Sequence, residues 1–242
     1  MAALTMATSP IIITGAGKRV GLALAQHLLS LGHAVIGSYR SDYPEFDALR
    51  QQGAELHHLD CYDPASVTTF ISKVTTRHGQ LRGIIHNASD WLPDTGDLSP
   101  LDVISRMLQV HVQVPYQLNL AFEPLLMAGG ERSRDIIHIT DYVVEKGSKK
   151  HAAYAASKAA LANLTLSFAA RLAPQVKVNS IAPSLILFNQ HDAADYRAKA
   201  LGKSAMQREG GLQEMLAAVD YLLASDYMTG RSLALDGGRN LM

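Results

Sequence analysis

The feature that most constrains this chain is an alternation. Short runs of β-branched and other apolar residues, at 11–14, 34–38, 55–59, 83–86, 135–139, 176–181 and 232–235, are separated by longer stretches with helical periodicity, at 20–30, 46–52, 65–78, 101–127, 152–172 and 212–224. Runs such as Ile11-Ile12-Ile13-Thr14 and Asp135-Ile136-Ile137-His138-Ile139 are nearly continuous in apolar residues, as strands are when helices cover both faces of their sheet. Strand, helix and strand in succession imply parallel strands joined by right-handed crossovers. The expected fold class is α/β: a single doubly wound domain with a seven-stranded parallel sheet flanked by helices. No composition break or long linker divides the 242 residues, and 48% hydrophobic content is ample for a core.

Lys plus Arg and Asp plus Glu balance at 22 each, so no net field recruits nucleic acid or an anionic membrane, and any anion site must be local. Cys61 is the only cysteine, which excludes an intramolecular disulfide and fits a reducing compartment. The first fifteen residues lack a basic region followed by a long apolar stretch, and the most apolar long segment, 152–173, carries Lys158, Asn163 and Arg171 and reads as a packed helix. The expected setting is cytoplasmic, with neither nucleic acid nor membrane as partner.

The first strand runs directly into Thr14-Gly15-Ala16-Gly17-Lys18-Arg19-Val20-Gly21, after which a helix begins. Glycines here let the backbone turn sharply and approach a pyrophosphate, while the helix N-terminus offers free N–H groups. The G-x-G-x-x-x-G spacing is looser than the strict dinucleotide fingerprint, and a tight turn without a ligand is the plainer reading. It is not a P-loop, because Lys18 is followed by Arg19. The second strand ends in Ser38-Tyr39-Arg40-Ser41, with no acid where an NAD-selective site holds the ribose hydroxyls. A lone Arg40 would read as a solvated surface cation, but beside Lys18 and Arg19 a 2′-phosphate pocket is the better reading, so NADPH is the expected cofactor.

Tyr154 and Lys158 lie four apart on the helix at 152–172 and share a face. A cation beside a phenol favours its ionised form and lowers its pKa, which gives the pair a reason in proton transfer. Alone, Y-x-x-x-K is a common pattern. Together with TGAGKRVG, Asp60 after the third strand, HNAS after the fourth, YAASK, VNSIAPS and the terminal LDGG, in this order along nearly the whole chain, it resembles the short-chain dehydrogenase/reductase family. The resemblance implies a Rossmann-type domain, NADPH, a tyrosine acid, a lysine on the nicotinamide ribose, and a homotetramer. It extends the cofactor-binding set of Gly15, Gly17, Lys18, Arg19, Val20, Gly21, Arg40 and Ser41 to Asp60, Asn87, Ala88, Ser89, Thr140, Tyr154, Lys158, Pro183 and Ser184.

Two departures from the family pattern point to its pteridine reductase branch. Arg19 stands where most members have glycine, and Asp141, thirteen residues before the tyrosine, stands in place of the serine. Trp91, two positions after Asn87-Ala88-Ser89, matches the branch's aromatic residue that stacks on the pterin. The implied reaction is NADPH-dependent reduction of a dihydropterin, with weaker activity on dihydrofolate. A pterin is a flat polar ring system, which suits an aromatic face and a carboxylate at the ring edge. The catalytic candidates are therefore Tyr154, Lys158 and Asp141; the substrate-binding candidates are Arg19, Trp91, Asp141 and Tyr154. Plainer roles exist: an apolar plug for Trp91, a turn for Asp141. Asp141 also opposes ionisation of Tyr154, which favours a proton donor over a base. A carbonyl reductase of the same fold and a non-catalytic nucleotide sensor are the competing functions.

Three further readings complete the set. His111 replaces the asparagine of the family's proton relay; it either continues the relay with a titration near neutrality or is a core histidine. His57 and His58, near Asp60 and Cys61, are adjacent on a strand and point to opposite faces, so no metal is expected. Residues 184–211 are too long for an ordinary connection and form either a substrate lid or a surface excursion.

Overall fold

In the triplet Ile11, Ile12 and Ile13, all fully buried, Ile12 packs into one apolar cluster and its two neighbours into another. Ile84 and Ile85 divide in the same way, as do Ile136 and Ile137. This period-two division over two dry faces is what a sheet sandwiched between helical layers demands. The computed structural model describes residues 9–128 and 134–242. Its strands are β1 (Ile11–Ile13), β2 (Val35–Tyr39), β3 (Glu55–His58), β4 (Gly83–His86), β5 (Arg134–Ile139), β6 (Val176–Pro183) and β7 (Ser232–Leu235). All pair in parallel in one seven-stranded sheet of order β3-β2-β1-β4-β5-β6-β7.

The helices are α1 (Arg19–Ser30), α2 (Phe46–Gln51), α3 (Pro64–Arg77), α4 (Pro100–Leu108), α5 (Val114–Met127), α6 (Val143–Lys146), α7 (Ala152–Leu172), α8 (Ala194–Leu201) and α9 (Leu212–Ala224). One face of the sheet carries Phe70 of α3, Phe122 of α5 and Phe168 of α7; the other carries Leu24 and Leu28 of α1 and Val219 of α9. The periodicity at 101–127 suggests one unbroken helix, whereas the structure inserts a π-helical turn, Gln109–Gln113, between α4 and α5. Pro115 supplies the reason: it has no N–H for the carbonyl of His111 and its ring crowds that carbonyl, so a wider turn relieves the ladder.

The chain leaves β1 for a helix on one side and reaches β4 on the other, so a crevice opens at their carboxyl ends. Helix starts differ there. Asp63 accepts from Ala65 N at 3.0 Å to cap α3, and Ser99 accepts from Asp102 N at 3.1 Å to cap α4. Helix α1 starts beside the crevice after Lys18, with no side-chain cap.

Candidate active site

The loop after β1 is stitched to both neighbouring strands. Thr14 Oγ1 accepts from Asn87 N and Ala88 N, each at 3.0 Å, while Asn87 Nδ2 donates to the carbonyls of Thr14 and Gly15 at 3.1 Å. From the β2 side, Gly15 N donates to Ser38 Oγ at 3.3 Å and Ala16 N to Ser38 O at 2.8 Å. The loop is tight enough to require its glycines: a Cβ on Gly21 would lie 2.0 Å from Gly15 O, and one on Gly17 would lie 2.6 Å from the Tyr43 ring. Arg19 adopts φ 52°, the left-handed region that favours glycine. Holding an arginine there costs about 1–3 kcal/mol of strain, so its side chain must return something. Its guanidinium donates to Asn189 Oδ1 at 2.5 Å and to Leu187 O at 3.0 Å.

Above the sheet lies a cleft of about 470 Å³. Gly15, Gly17, Lys18, Arg19, Val20 and Gly21 form one wall, Arg40 and Ser41 the end beyond β2. Asn87, Ala88, Ser89 and Thr140 line its floor, and Asp141, Tyr154, Lys158 and Pro183 its far end. Three expected residues do not line it. Asp60 turns the chain after β3, its Oδ1 accepting from Tyr62 N at 2.9 Å. Ser184 Oγ accepts from Arg239 Nη1 at 3.0 Å. Trp91 is 61% exposed and its ring stacks on His151, centroids 3.8 Å apart. Conversely, Tyr39, Tyr43, Cys61, Tyr62, Asp90 and Val110 line the cleft without having been expected. Of these, Tyr62 has a legible signal, an aromatic residue just past a strand's carboxyl end. Its hydroxyl donates to Asp90 Oδ2 at 3.0 Å and its ring lies 5.8 Å from the Arg40 guanidinium.

At the far end, Tyr154 OH donates to Asp141 Oδ2 at 2.7 Å, and Val143 N donates to Asp141 Oδ1 at 2.9 Å. Burial, followed by the Asp141 charge and this hydrogen bond, pushes the Tyr154 phenol well above the ordinary phenol range. Lys158, one turn away, does not bring the phenol down as the helix spacing alone implies. Lys158 Nζ is fully buried, donates to Ile139 O at 2.8 Å, and lies 5.7 Å from the tyrosine ring centroid. Desolvation lowers its amine to about 8, with Asp141 acting in the opposite sense. Burial also raises the Asp141 carboxyl, against the Val143 N–H, Tyr154, Lys158 and Arg239. The arrangement is a protonated phenol held on a carboxylate.

His111, carried by the π-helical turn, sits edge-on to Tyr154 at 5.4 Å. Its Nε2 is 2.8 Å from Ser89 Oγ and its Nδ1 2.8 Å from Ser157 Oγ, and Ser157 Oγ donates to Tyr154 O at 2.7 Å. With the Ser157 proton so committed, Nδ1–H is the donor to Ser157 and Nε2 accepts from Ser89. Burial, then the Lys158 charge, drives the imidazole down to about 2. The expectation of a titration near neutrality therefore fails, because a cation cannot be solvated there. His57 and His58 diverge, to Glu55 Oε1 at 2.5 Å and to Ser66 Oγ at 3.4 Å. Among the described residues no group of three or more His, Cys, Asp or Glu is placed to hold a metal, and no helix is long and apolar enough to cross a membrane.

Residues 184–211 leave β6 and return beside their own start: Gly210 N donates to Leu185 O and Gly211 N to Ile186 O, both at 2.9 Å. Helix α8 lies within this excursion, and the Arg19 bonds to Leu187 and Asn189 tie it to the phosphate loop.

Residues 15–240 match the family described as Enoyl-(Acyl carrier protein) reductase. The dihydromonapterin reductase of Klebsiella pneumoniae subsp. pneumoniae is 54% identical over 232 residues, spanning 96% of this chain and 97% of that protein. The dihydromonapterin reductase of Escherichia coli O6:K15:H31 is likewise 54% identical over the same shares. Among solved structures, the FolM alternative dihydrofolate reductase 1 of Brucella suis in complex with NADP superposes with a TM-score of 0.86 at 27% identity, covering 98% of this chain and 96% of that one.

Proposed function

Because the chain belongs to the short-chain dehydrogenase/reductase family, we propose that its cleft performs NADPH-dependent reduction of a dihydropterin, 7,8-dihydromonapterin first and dihydrofolate more weakly. The observation that carries the substrate class is the Tyr154–Asp141 hydrogen bond, which commits the phenol proton to the carboxylate and leaves both groups' lone pairs as acceptors for the N–H edge of a polar ring. A ketone needs only donors, so the carbonyl reductase alternative leaves the buried carboxylate without a task. A nucleotide sensor uses Lys158 on the ribose but leaves the phenol–carboxylate pair without a task.

The residues fit a dinucleotide. The uncapped start of α1 offers N–H groups for the pyrophosphate, the glycine positions keep the cradle clear, and Arg40 with Lys18 and Ser41 stands where a 2′-phosphate would fall. Asn87, Ala88, Ser89, Thr140 and Pro183 would bound the nicotinamide end, with Lys158 on its ribose. When bound, the cofactor supplies a hydride to a ring carbon of the pterin. Tyr154 keeps its proton across the physiological range and delivers it to the reduced ring nitrogen, directly or through water. Asp141 orients that hydroxyl and accepts from ring-edge N–H groups, while Arg19 holds the 184–211 segment, a substrate lid, against the phosphate loop. Trp91 lies outside the cleft beside Asp90, with one ring face on His151, and its exposed face is the stacking surface for a substrate that extends past the cleft rim. The protein acts in the cytoplasm as a homotetramer, for which the exposed Leu101, Tyr116 and Leu166 on α4, α5 and α7 provide apolar contact surface.

The test is NADPH oxidation with dihydromonapterin, dihydrofolate and a panel of ketones, for wild type and Tyr154→Phe. Turnover of the pterins and its loss in the variant are expected. Turnover confined to ketones would overturn the substrate, and cofactor binding with no turnover anywhere would favour the sensor.

A further inference from the structure

Thr140 and Asp141, at the catalytic end of the cleft, also border a second concavity. A cavity of about 360 Å³ shares Thr140 and Asp141 with the cleft, and shares Tyr142 and Lys146 with an outer cavity of about 750 Å³. Four cations line the outer cavity, Lys146, Lys149, Lys203 and Arg239, and no aspartate or glutamate does. Lys146 Nζ is taken up by Met242 O, while Lys149, Lys203 and Arg239 make no ion pair among the described residues. In a chain with equal numbers of acidic and basic residues, three cations without an ion pair on one cavity make a local anion site, with Asp141, Glu145 and Asp236 confined to the adjoining cavity.

The cluster is also held in place from the catalytic side. The Arg239 guanidinium lies 4.3 Å over the Tyr142 ring and donates to Ser184 Oγ at 3.0 Å, and Lys146 Nζ donates to Met242 O at 3.0 Å. Lys149 and Lys203 come from opposite rims, one before α7 and one after α8, and are exposed.

We propose that this basic cavity receives the carboxylates of a γ-glutamyl tail on a pterin, so that the enzyme takes glutamylated dihydrofolates in preference to the monoglutamate. The inference rests on the pterin reading of the cleft and adds the far end of the substrate to it. Exposed pairs are individually weak, so each added glutamate, up to about three, lowers KM by about two- to fivefold, and the gain shrinks at high salt.

The experiment compares KM for dihydrofolate carrying one, two and four glutamates, and for dihydromonapterin, in wild type and in Lys149→Gln/Lys203→Gln, with and without Lys146→Gln. Calorimetric affinities of the matching folates for the NADP-saturated protein are measured alongside. The expected result is a KM and a Kd that fall with tail length in wild type, flatten in the variants, and leave dihydromonapterin kinetics unchanged. Tail-independent binding in wild type, or a tail dependence that survives the substitutions, overturns the subsite even if dihydromonapterin is turned over. Tail-dependent affinity without turnover of any pterin keeps the subsite and rejects the reaction.

Discussion

Removing the hydroxyl that Asp141 accepts should produce two separable losses. Tyr154 is 8% exposed, and its 2.7 Å bond to Asp141 Oδ2 is one of two that the structure gives that carboxylate. A hydrogen bond to a charged acceptor contributes about 1.5–3 kcal/mol. Tyr154→Phe should therefore destabilise the protein by about that amount near pH 7, or roughly 3–12 °C in Tm for a chain of this size. The sign of the pH dependence follows from burial, which raises the Asp141 carboxyl above its ordinary value. The folded protein binds that proton more tightly than the unfolded chain, so ionised Asp141 opposes folding at neutral pH and the opposition fades as pH falls through the raised value. Loss of the phenol donor raises the carboxyl further. The Tyr154→Phe penalty is thus largest near neutrality, shrinks on acidification, and is smaller and pH-independent in an Asp141→Asn background. On turnover, loss of the acid should cost about 10²–10⁴ in kcat. The assays are urea unfolding of the double-mutant cycle across pH and NADPH oxidation with dihydromonapterin. A kcat within tenfold of wild type, together with an equal penalty in both backgrounds, would refute the reasoning.

Three further outcomes are expected. With the Lys158 amine lowered to about 8 by burial, its charge is lost as pH rises through that value, so kcat/KM of the free enzyme should fall on the alkaline side; a flat profile to about pH 10 would contradict it. Arg40→Ala should raise KM for NADPH about tenfold while leaving KM for NADH nearly unchanged, and equal effects would remove Arg40 from the 2′-phosphate site. His111→Asn should leave the position of the acid limb unchanged, since the imidazole stays neutral; a limb between about pH 5 and 8 that vanishes in the variant would show that it titrates.

Strand identity and order of chemistry were legible in the chain because they are local or repeat at a fixed period. Seven apolar runs separated by helical stretches admit little but a parallel, doubly covered sheet, and the glycines after β1 announce a close approach of backbone to ligand. Even Arg19 carried information, since an arginine at a position favouring glycine had to be explained, and its φ of 52° with bonds into the 184–211 segment explains it. What sequence spacing could not decide was which neighbour wins at each titratable group. Tyr154 and Lys158 share a helix face by periodicity, yet the phenol is governed by burial and by Asp141, a residue on another element, and the lysine by its own desolvation. The same holds for His111, whose bonds to Ser89 and Ser157 and loss of hydration depend on a π-helical turn that only the packing around Pro115 produces. Backbone pattern is written in the order of residues; hydration and the distance between charges exist only once the elements have packed.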